Sequence, residues 1–177
     1  MSNPSAARPA APELWAEVHA HDRVMRYRRR GAGPSVLVLG SPASTRGSGA
    51  SLWPELLEAL AAGHRLLLPE VPAAAGSGEW LADFLEGLGL ARVTVVAAGP
   101  SCGAALELAF LAPDQVARVV LVGDGEANAS GLQSPCSGAA VHAGPVPLLV
   151  IRSDLPCAEA LLLVARFVDG EDAALSS

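Results

Sequence analysis

The sequence has few cysteines, few aromatic side chains and no long apolar run, and each shortage excludes a class of protein. Three cysteines occur among 177 residues, and no two of them have the spacing that zinc sites and redox pairs use. We therefore expect a reduced, cytoplasmic protein with no disulfide framework, no metal site and no cofactor. No apolar run approaches the roughly 18 residues that cross a membrane, so we predict no membrane partner.

Charge is also scarce, and its sign excludes another class of partner. Charged residues make up 17% of the chain and the net charge is −6, so we predict no nucleic-acid partner, because phosphate binding needs a basic face. A short basic run at residues 26–30 is interpreted as a solvated strand end rather than an anion site. Half of the residues (51%) are apolar, which excludes a disordered chain and predicts a compact core.

The two ends of the chain differ in composition from the middle. Residues 1–12 are rich in Ala, Pro and Ser without a continuous apolar stretch, so we predict a flexible tail rather than a signal peptide. Residues 13–170 have the length and apolar content of a single domain. A short C-terminal tail, 171–177, is predicted to follow it.

Apolar runs and helical periodicities alternate along the predicted domain. A hairpin is predicted from Trp15 to Arg30, with His21 and Asp22 in its turn. Buried strands are predicted at 35–39, 65–68, 92–98, 116–122 and 147–151, with helices around 52–60, 81–88, 103–112 and 158–168. The polar segment 123–144 is predicted to be a loop. This alternation predicts an α/β protein with a mostly parallel, doubly wound sheet and an N-terminal antiparallel hairpin.

One motif lies at the carboxyl end of a predicted strand, where parallel α/β sheets bind their ligands. The run Gly99-Pro100-Ser101-Cys102-Gly103 lies between a predicted strand and a predicted helix, at the carboxyl end of the strand. A Gly-x-Ser-x-Gly pattern in this context holds a serine hydroxyl on a tight, strained turn, and glycines on either side prevent collisions with neighbouring elements. The backbone N–H of Cys102, at a helix start, is suited to stabilise an oxyanion.

The thiol of Cys102 has two interpretations. A thiol at a helix N-terminus can have a lowered pKa and become reactive. Alternatively, Cys102 is a small apolar residue packed beside the turn.

These segments together resemble the α/β-hydrolase superfamily over roughly residues 13–168. The closest stretch is 104–122, and the segments around 37–40, 68–72 and 146–151 are similar to the family's corresponding strands. The resemblance implies a truncated α/β-hydrolase fold without a cap or a final strand, Ser101 as nucleophile, and an oxyanion hole formed by the N–H groups of Ser41 and Cys102, with Gly99 and Gly103 framing the nucleophile elbow.

The catalytic acid departs from the family's pattern. The position expected for it is Pro156, and Asp154 lies two residues earlier. Asp124, after the strand 116–122, is a second candidate because some members of the family place their acid there. A third interpretation makes both aspartates ordinary loop or capping residues.

The catalytic histidine departs further. The family's order is serine, acid, histidine, and no histidine follows Asp154 in this sequence. His142 is the candidate base, although it lies just before the last predicted strand, from which the serine is difficult to reach. The other three histidines, His19, His21 and His64, belong to the hairpin or precede a strand.

Two functions are compatible with these observations. The chain is either a serine hydrolase for small ester or acyl substrates, impaired on its own, or a non-catalytic binding or assembly subunit. The first needs a base from His142 or from a partner subunit, because a serine hydroxyl alone is a poor nucleophile. The second predicts a homodimer or heteromer formed through an exposed sheet edge. A remnant polypeptide without a maintained role is a third alternative.

Overall fold

The chain folds into one mixed sheet with helices on both faces. A computed structural model describes residues 12–40, 49–72, 77–123, 140–143, 146–152 and 155–170. Within these ranges the strands are β1 (Leu14–Ala20), β2 (Arg23–Arg30), β3 (Ser35–Leu39), β4 (Arg65–Pro69), β5 (Val93–Ala98), β6 (Val116–Gly123), β7 (Ala140–Ala143) and β8 (Val146–Arg152). The helices are α1 (Gly49–Ala61), α2 (Ser77–Gly87), α3 (Cys102–Leu111) and α4 (Cys157–Asp169).

The strand order confirms the predicted architecture. The sheet has eight strands in the order β1-β2-β4-β3-β5-β6-β8-β7. Strands β4, β3, β5, β6 and β8 are parallel, whereas β1 pairs antiparallel with β2, and β2 with β4. His21 and Asp22 both have positive φ, 46° and 60°, which is typical of the two-residue turn of a tight hairpin.

Two apolar cores, one on each face, explain why the central strands read as continuous apolar runs. Helices α2 and α3 pack on one face, and α1 and α4 on the other. Strand β5 supplies both cores by alternation, Val95 and Ala97 to the first and Val96 and Ala98 to the second. A strand covered on both faces has no polar side, so its sequence shows no period of two.

Strand β7 lies inside the segment predicted to be a loop, and that prediction is therefore wrong at residues 140–143. These four residues pair antiparallel with β8, and the segment 124–139 lies outside the described residues. Strand β7 thus covers β8, the last predicted strand, at this edge of the sheet. The outer strands of the described sheet are β1 and β7.

The basic run belongs to β2, where three of its four arginines pair with carboxylates of the same chain. The side chains of Arg26 and Arg28 are at least 40% exposed, so their ion pairs stabilise little, whereas the side chain of Arg30 is only 14% exposed. The pairs are Arg26–Glu17 (2.9 Å), Arg28–Glu13 (3.1 Å) and Arg30–Glu58.

The start of α2 is fastened to α3, the helix that follows the serine motif. The hydroxyl of Ser77 and the backbone N–H of Gly78 both donate to Oε2 of Glu107, at 2.9 and 3.1 Å. A carboxylate there satisfies free N–H groups at the helix start and complements the helix dipole. A Cβ on Gly78 would lie 2.7 Å from Cβ of Glu107, so only glycine permits this close approach.

Candidate functional site

Strand β5 delivers the serine motif to the carboxyl end of the sheet. The strand lies between β3 and β6, continues into a single 3₁₀ turn at Gly99–Ser101, and leads directly into α3. Ser101 is half-buried and stands at the N-terminal boundary of α3. The strand, turn and helix predicted around the serine are therefore present, at the edge where parallel α/β sheets bind their ligands.

The backbone of the turn is not strained at the serine. Ser101 has φ −76° and ψ −8°, an ordinary right-handed helical conformation. The left-handed conformation falls on Gly99, with φ +57°, where it costs little because glycine has no Cβ. The prediction of a strained serine is wrong for this conformation.

Gly103 also differs from its predicted role. Among the residues that the structure describes, a Cβ added at this exposed residue would meet no atom within 4 Å. The prediction that glycine is needed here to prevent a collision is therefore wrong.

The backbone N–H of Cys102 already has an acceptor. It donates to the carbonyl oxygen of Gly99 and closes the 3₁₀ turn. An oxyanion-hole donor must point at the developing charge of the substrate, and a donor committed within the turn does not. In this conformation the N–H of Cys102 is directed at Gly99, and its role as an oxyanion donor stays a prediction. The second implied donor, Ser41, lies outside the described residues.

The thiol of Cys102 belongs to the core. The side chain is 1% exposed, and Sγ lies 3.7 Å from the carbonyl oxygen of Ala97. Burial raises the pKa of this thiol to about 11, and a backbone hydrogen bond at Val122 lowers it by a smaller amount. Because the thiolate is the reactive form, the reactive-thiol alternative is wrong and the apolar interpretation is confirmed.

The register of the sheet separates His142 from the serine. Ala98, the last residue of β5, pairs with Val122, which pairs with Ile151 of β8, whereas His142 pairs with Pro147. Strand β7 is thus three strand spacings from β5, about 14 Å, and His142 lies four residues towards the other end, about 13 Å. No side chain spans that distance, so this placement does not support His142 as the base.

Both candidate acids, Asp124 and Asp154, lie outside the described residues, so their roles stay predictions.

Comparison with known proteins matches the fold but no sequence family. No family model matches the chain, and no curated protein matches its sequence. Carboxylesterase CesB from Bacillus subtilis superposes with a TM-score of 0.52 at 17% identity, over 66% of this chain and 45% of that one. Naproxen esterase from the same organism gives 0.51 at 10% identity, over 63% and 43%. The fold is an α/β-hydrolase fold. The matched regions span less than half of either esterase.

Within this α/β-hydrolase fold, the remaining histidines lie away from Ser101. His19 and His21 belong to the β1–β2 hairpin, and β1 is four strand spacings from β5, about 19 Å. His64 precedes β4, so it lies at the amino end of the sheet, with Nε2 3.3 Å from Oδ1 of Asp169. Of the histidines in the described ranges, none stands beside the serine.

The hairpin side of the α/β-hydrolase fold contains two features that sequence reasoning missed. The first is an open groove of about 330 Å³, lined by Trp15, Ala16, Glu17, Arg26 and Glu70. The second is a cluster of His21 with two carboxylates of α2. The only sequence signal for the cluster is the spacing of three between Asp83 and Glu86, which puts both on one helix face.

No helix among the described residues is long and apolar enough to cross a membrane.

Proposed function

We propose that this chain is an α/β-hydrolase-fold serine hydrolase for small ester or acyl substrates, with Ser101 as nucleophile and with strongly impaired catalysis. The observation that carries the proposal is the half-buried Ser101 between the carboxyl end of β5 and the start of α3. This is the place from which the strand–turn–helix unit of a hydrolase presents its serine to a substrate carbonyl.

We infer impaired catalysis from what attack of the Ser101 hydroxyl on a carbonyl carbon requires. The hydroxyl must lose its proton to a base within hydrogen-bond reach, and the carbonyl oxygen must gain hydrogen bonds as it becomes an oxyanion. The N–H of Cys102 is committed to Gly99, and no described histidine reaches the serine. A missing oxyanion donor alone costs about 10²–10³ in kcat.

Small substrates are favoured because the aromatic residues that commonly line acyl pockets are scarce and largely committed elsewhere. Aromatic side chains make up 4% of the chain. Trp80 stacks on Phe84, and Tyr27 meets Phe84 edge-on, within the core under α2.

Two free cysteines, Cys102 and Cys157, support a reducing cytoplasmic setting as part of the same proposal.

Covalent labelling tests the role of the serine. A fluorophosphonate probe and a chromogenic acetate ester are applied to the wild type, to Ser101→Ala, and to Ser77→Ala, a control that removes a hydroxyl at another helix start. We expect slow labelling and turnover that Ser101→Ala abolishes and Ser77→Ala retains. Turnover is expected about 10³-fold or more below that of a serine hydrolase with a complete triad.

Two outcomes would contradict parts of the proposal. Equal labelling of the wild type and Ser101→Ala would remove Ser101 as nucleophile. Fast, Ser101-dependent turnover would keep the nucleophile but remove the impairment, and would require a base from outside the described residues.

A second function, as a non-catalytic binding or assembly subunit, is favoured by the exposed apolar side chains of β1 and α3. Leu14 and Trp15 are exposed on the outer strand β1, and Phe110 and Leu111 on α3. An uncovered strand edge and an apolar helix surface are both sites at which chains associate. Light scattering across a concentration series tests this function for a homodimer, and a constant monomer mass would oppose it.

A further inference from the structure

Three metal-ligating side chains meet where the turn of the β1–β2 hairpin contacts α2. The ligand atoms of His21, Asp83 and Glu86 all lie within 4.8 Å of one another. We propose that these residues form a Zn²⁺ site that ties the hairpin to α2. This site is independent of Ser101 and of the proposed hydrolase function.

The donor set suits zinc. One imidazole nitrogen and two carboxylate oxygens are ligands that Zn²⁺ accepts, and a water molecule completes such a three-residue site. In a tetrahedral site with bonds of about 2.0–2.1 Å, two ligand atoms stand about 3.3 Å apart. Nδ1 of His21 lies 3.5 Å from Oδ1 of Asp83, so this pair is already close to that separation.

The supporting backbone is closely packed, which limits how far the ligands can separate. Asp83 and Glu86 are three residues apart on α2 and therefore share a helix face. The end of α2 lies against β1, because a Cβ on Gly87 would come 2.9 Å from Cβ of Ala20. His21 is the turn residue directly after Ala20, so its imidazole stands next to the end of a strand that touches the helix bearing the carboxylates.

Arg23 supplies an outer partner for the ligating carboxylate. Its Nη1 lies 3.6 Å from Oδ2 of Asp83, which is not the oxygen that faces His21. Outer partners of this kind orient ligating carboxylates in metal sites. The guanidinium charge also offsets part of the negative charge, and His21 is mostly exposed, so we expect weaker binding than in a closed zinc site.

Calorimetric titration of the metal-free full chain with ZnCl₂ tests the site. The variant is His21→Asn, because asparagine tolerates the positive φ of this position better than most residues. The control is His19→Asn, which removes an exposed imidazole two residues away, on β1. We expect one site in the wild type and in the control, and an affinity at least tenfold lower in His21→Asn.

Thermal unfolding gives a second readout. At one zinc concentration, the ion is expected to raise the melting temperature of the wild type and of His19→Asn by more than that of His21→Asn or Glu86→Gln, because an ion that binds only the folded chain stabilises it in proportion to its affinity. Circular dichroism without metal confirms that the variants fold. The proposal is overturned if the wild type binds no Zn²⁺, or if His21→Asn keeps the wild-type affinity and temperature shift, which would place the ion elsewhere.

Discussion

Gly78 and Gly103 occupy equivalent positions in two helices on the same face of the sheet, yet their surroundings are opposite. Each is the second residue of its helix, α2 or α3. A Cβ on Gly78 would lie 2.7 Å from Cβ of Glu107 and 2.9 Å from Cδ1 of Leu111, whereas a Cβ on Gly103 would meet no atom of the described ranges within 4 Å. Glycine is thus a steric requirement at Gly78, in the helix contact that supports the fold, but not at Gly103 of the serine motif.

The largest effect is expected where the helices are closest. Gly78→Ala puts a methyl group against Cβ of Glu107, an atom fixed to the backbone of α3. Overpacking of this kind costs about 1–3 kcal/mol, of which the better helix propensity of alanine offsets less than about 1 kcal/mol. We expect the free energy of unfolding to fall by about 2 kcal/mol and the melting temperature by about 4–8 °C, measured by thermal and urea unfolding. An unchanged stability would show that α2 and α3 separate easily, and it would contradict the steric requirement for glycine at position 78.

The pH dependence of stability due to the thiol of Cys102 tests whether the segment after the serine belongs to the packed core. Its folded pKa of about 11 exceeds the ordinary value of 9.0, so the folded chain keeps the thiol proton more tightly than the unfolded chain. The stabilisation is complete below about pH 9 and is lost as the pH rises towards 11. Between pH 8 and pH 10 we expect a loss of about 1 kcal/mol from this group.

Two cysteine variants isolate this alkaline effect. Urea unfolding at pH 8 and pH 10 should show a smaller alkaline loss in Cys102→Ala than in the wild type. Cys157→Ala should retain the loss due to Cys102, because Cys157 is a separate thiol whose pKa is raised mainly by a hydrogen bond with Glu55. An equal pH dependence in the wild type and Cys102→Ala would argue against a buried thiol.

The sequence predicts long buried strands better than short edge strands. Strand β3 was predicted at its observed bounds, Ser35–Leu39, because a strand covered on both faces is an uninterrupted apolar run. Strand β7 was missed because four residues are too few to establish a period. Its partner β8 lies nearby in sequence, but the pairing depends on register and not on composition.

The candidate site was predictable in position but not in conformation. Residue types and order put Ser101 after a buried strand and before a helix, and the structure has it there. The five residues of the motif allow either the serine or a glycine to adopt the left-handed conformation, and in this structure Gly99 adopts it. That choice decides the acceptor of the Cys102 N–H, and it depends on dihedral angles that the motif does not specify.

The smallest expected change in the free energy of unfolding comes from substitution of Gly103. The sign of this change distinguishes two conformations of the serine motif. In the turn described here, Gly103→Ala adds a methyl group in open space on a helix, so we expect unfolding to cost about 0.5 kcal/mol more than in the wild type. In a turn that needs glycine at this position, the same substitution would clash and destabilise the chain. Paired urea titrations of Gly103→Ala and Gly78→Ala distinguish these cases, since both replace the second residue of a helix and differ in packing. Opposite signs would support the 3₁₀ turn and the committed N–H of Cys102, whereas a loss of stability in both variants would indicate that the elbow forms in solution.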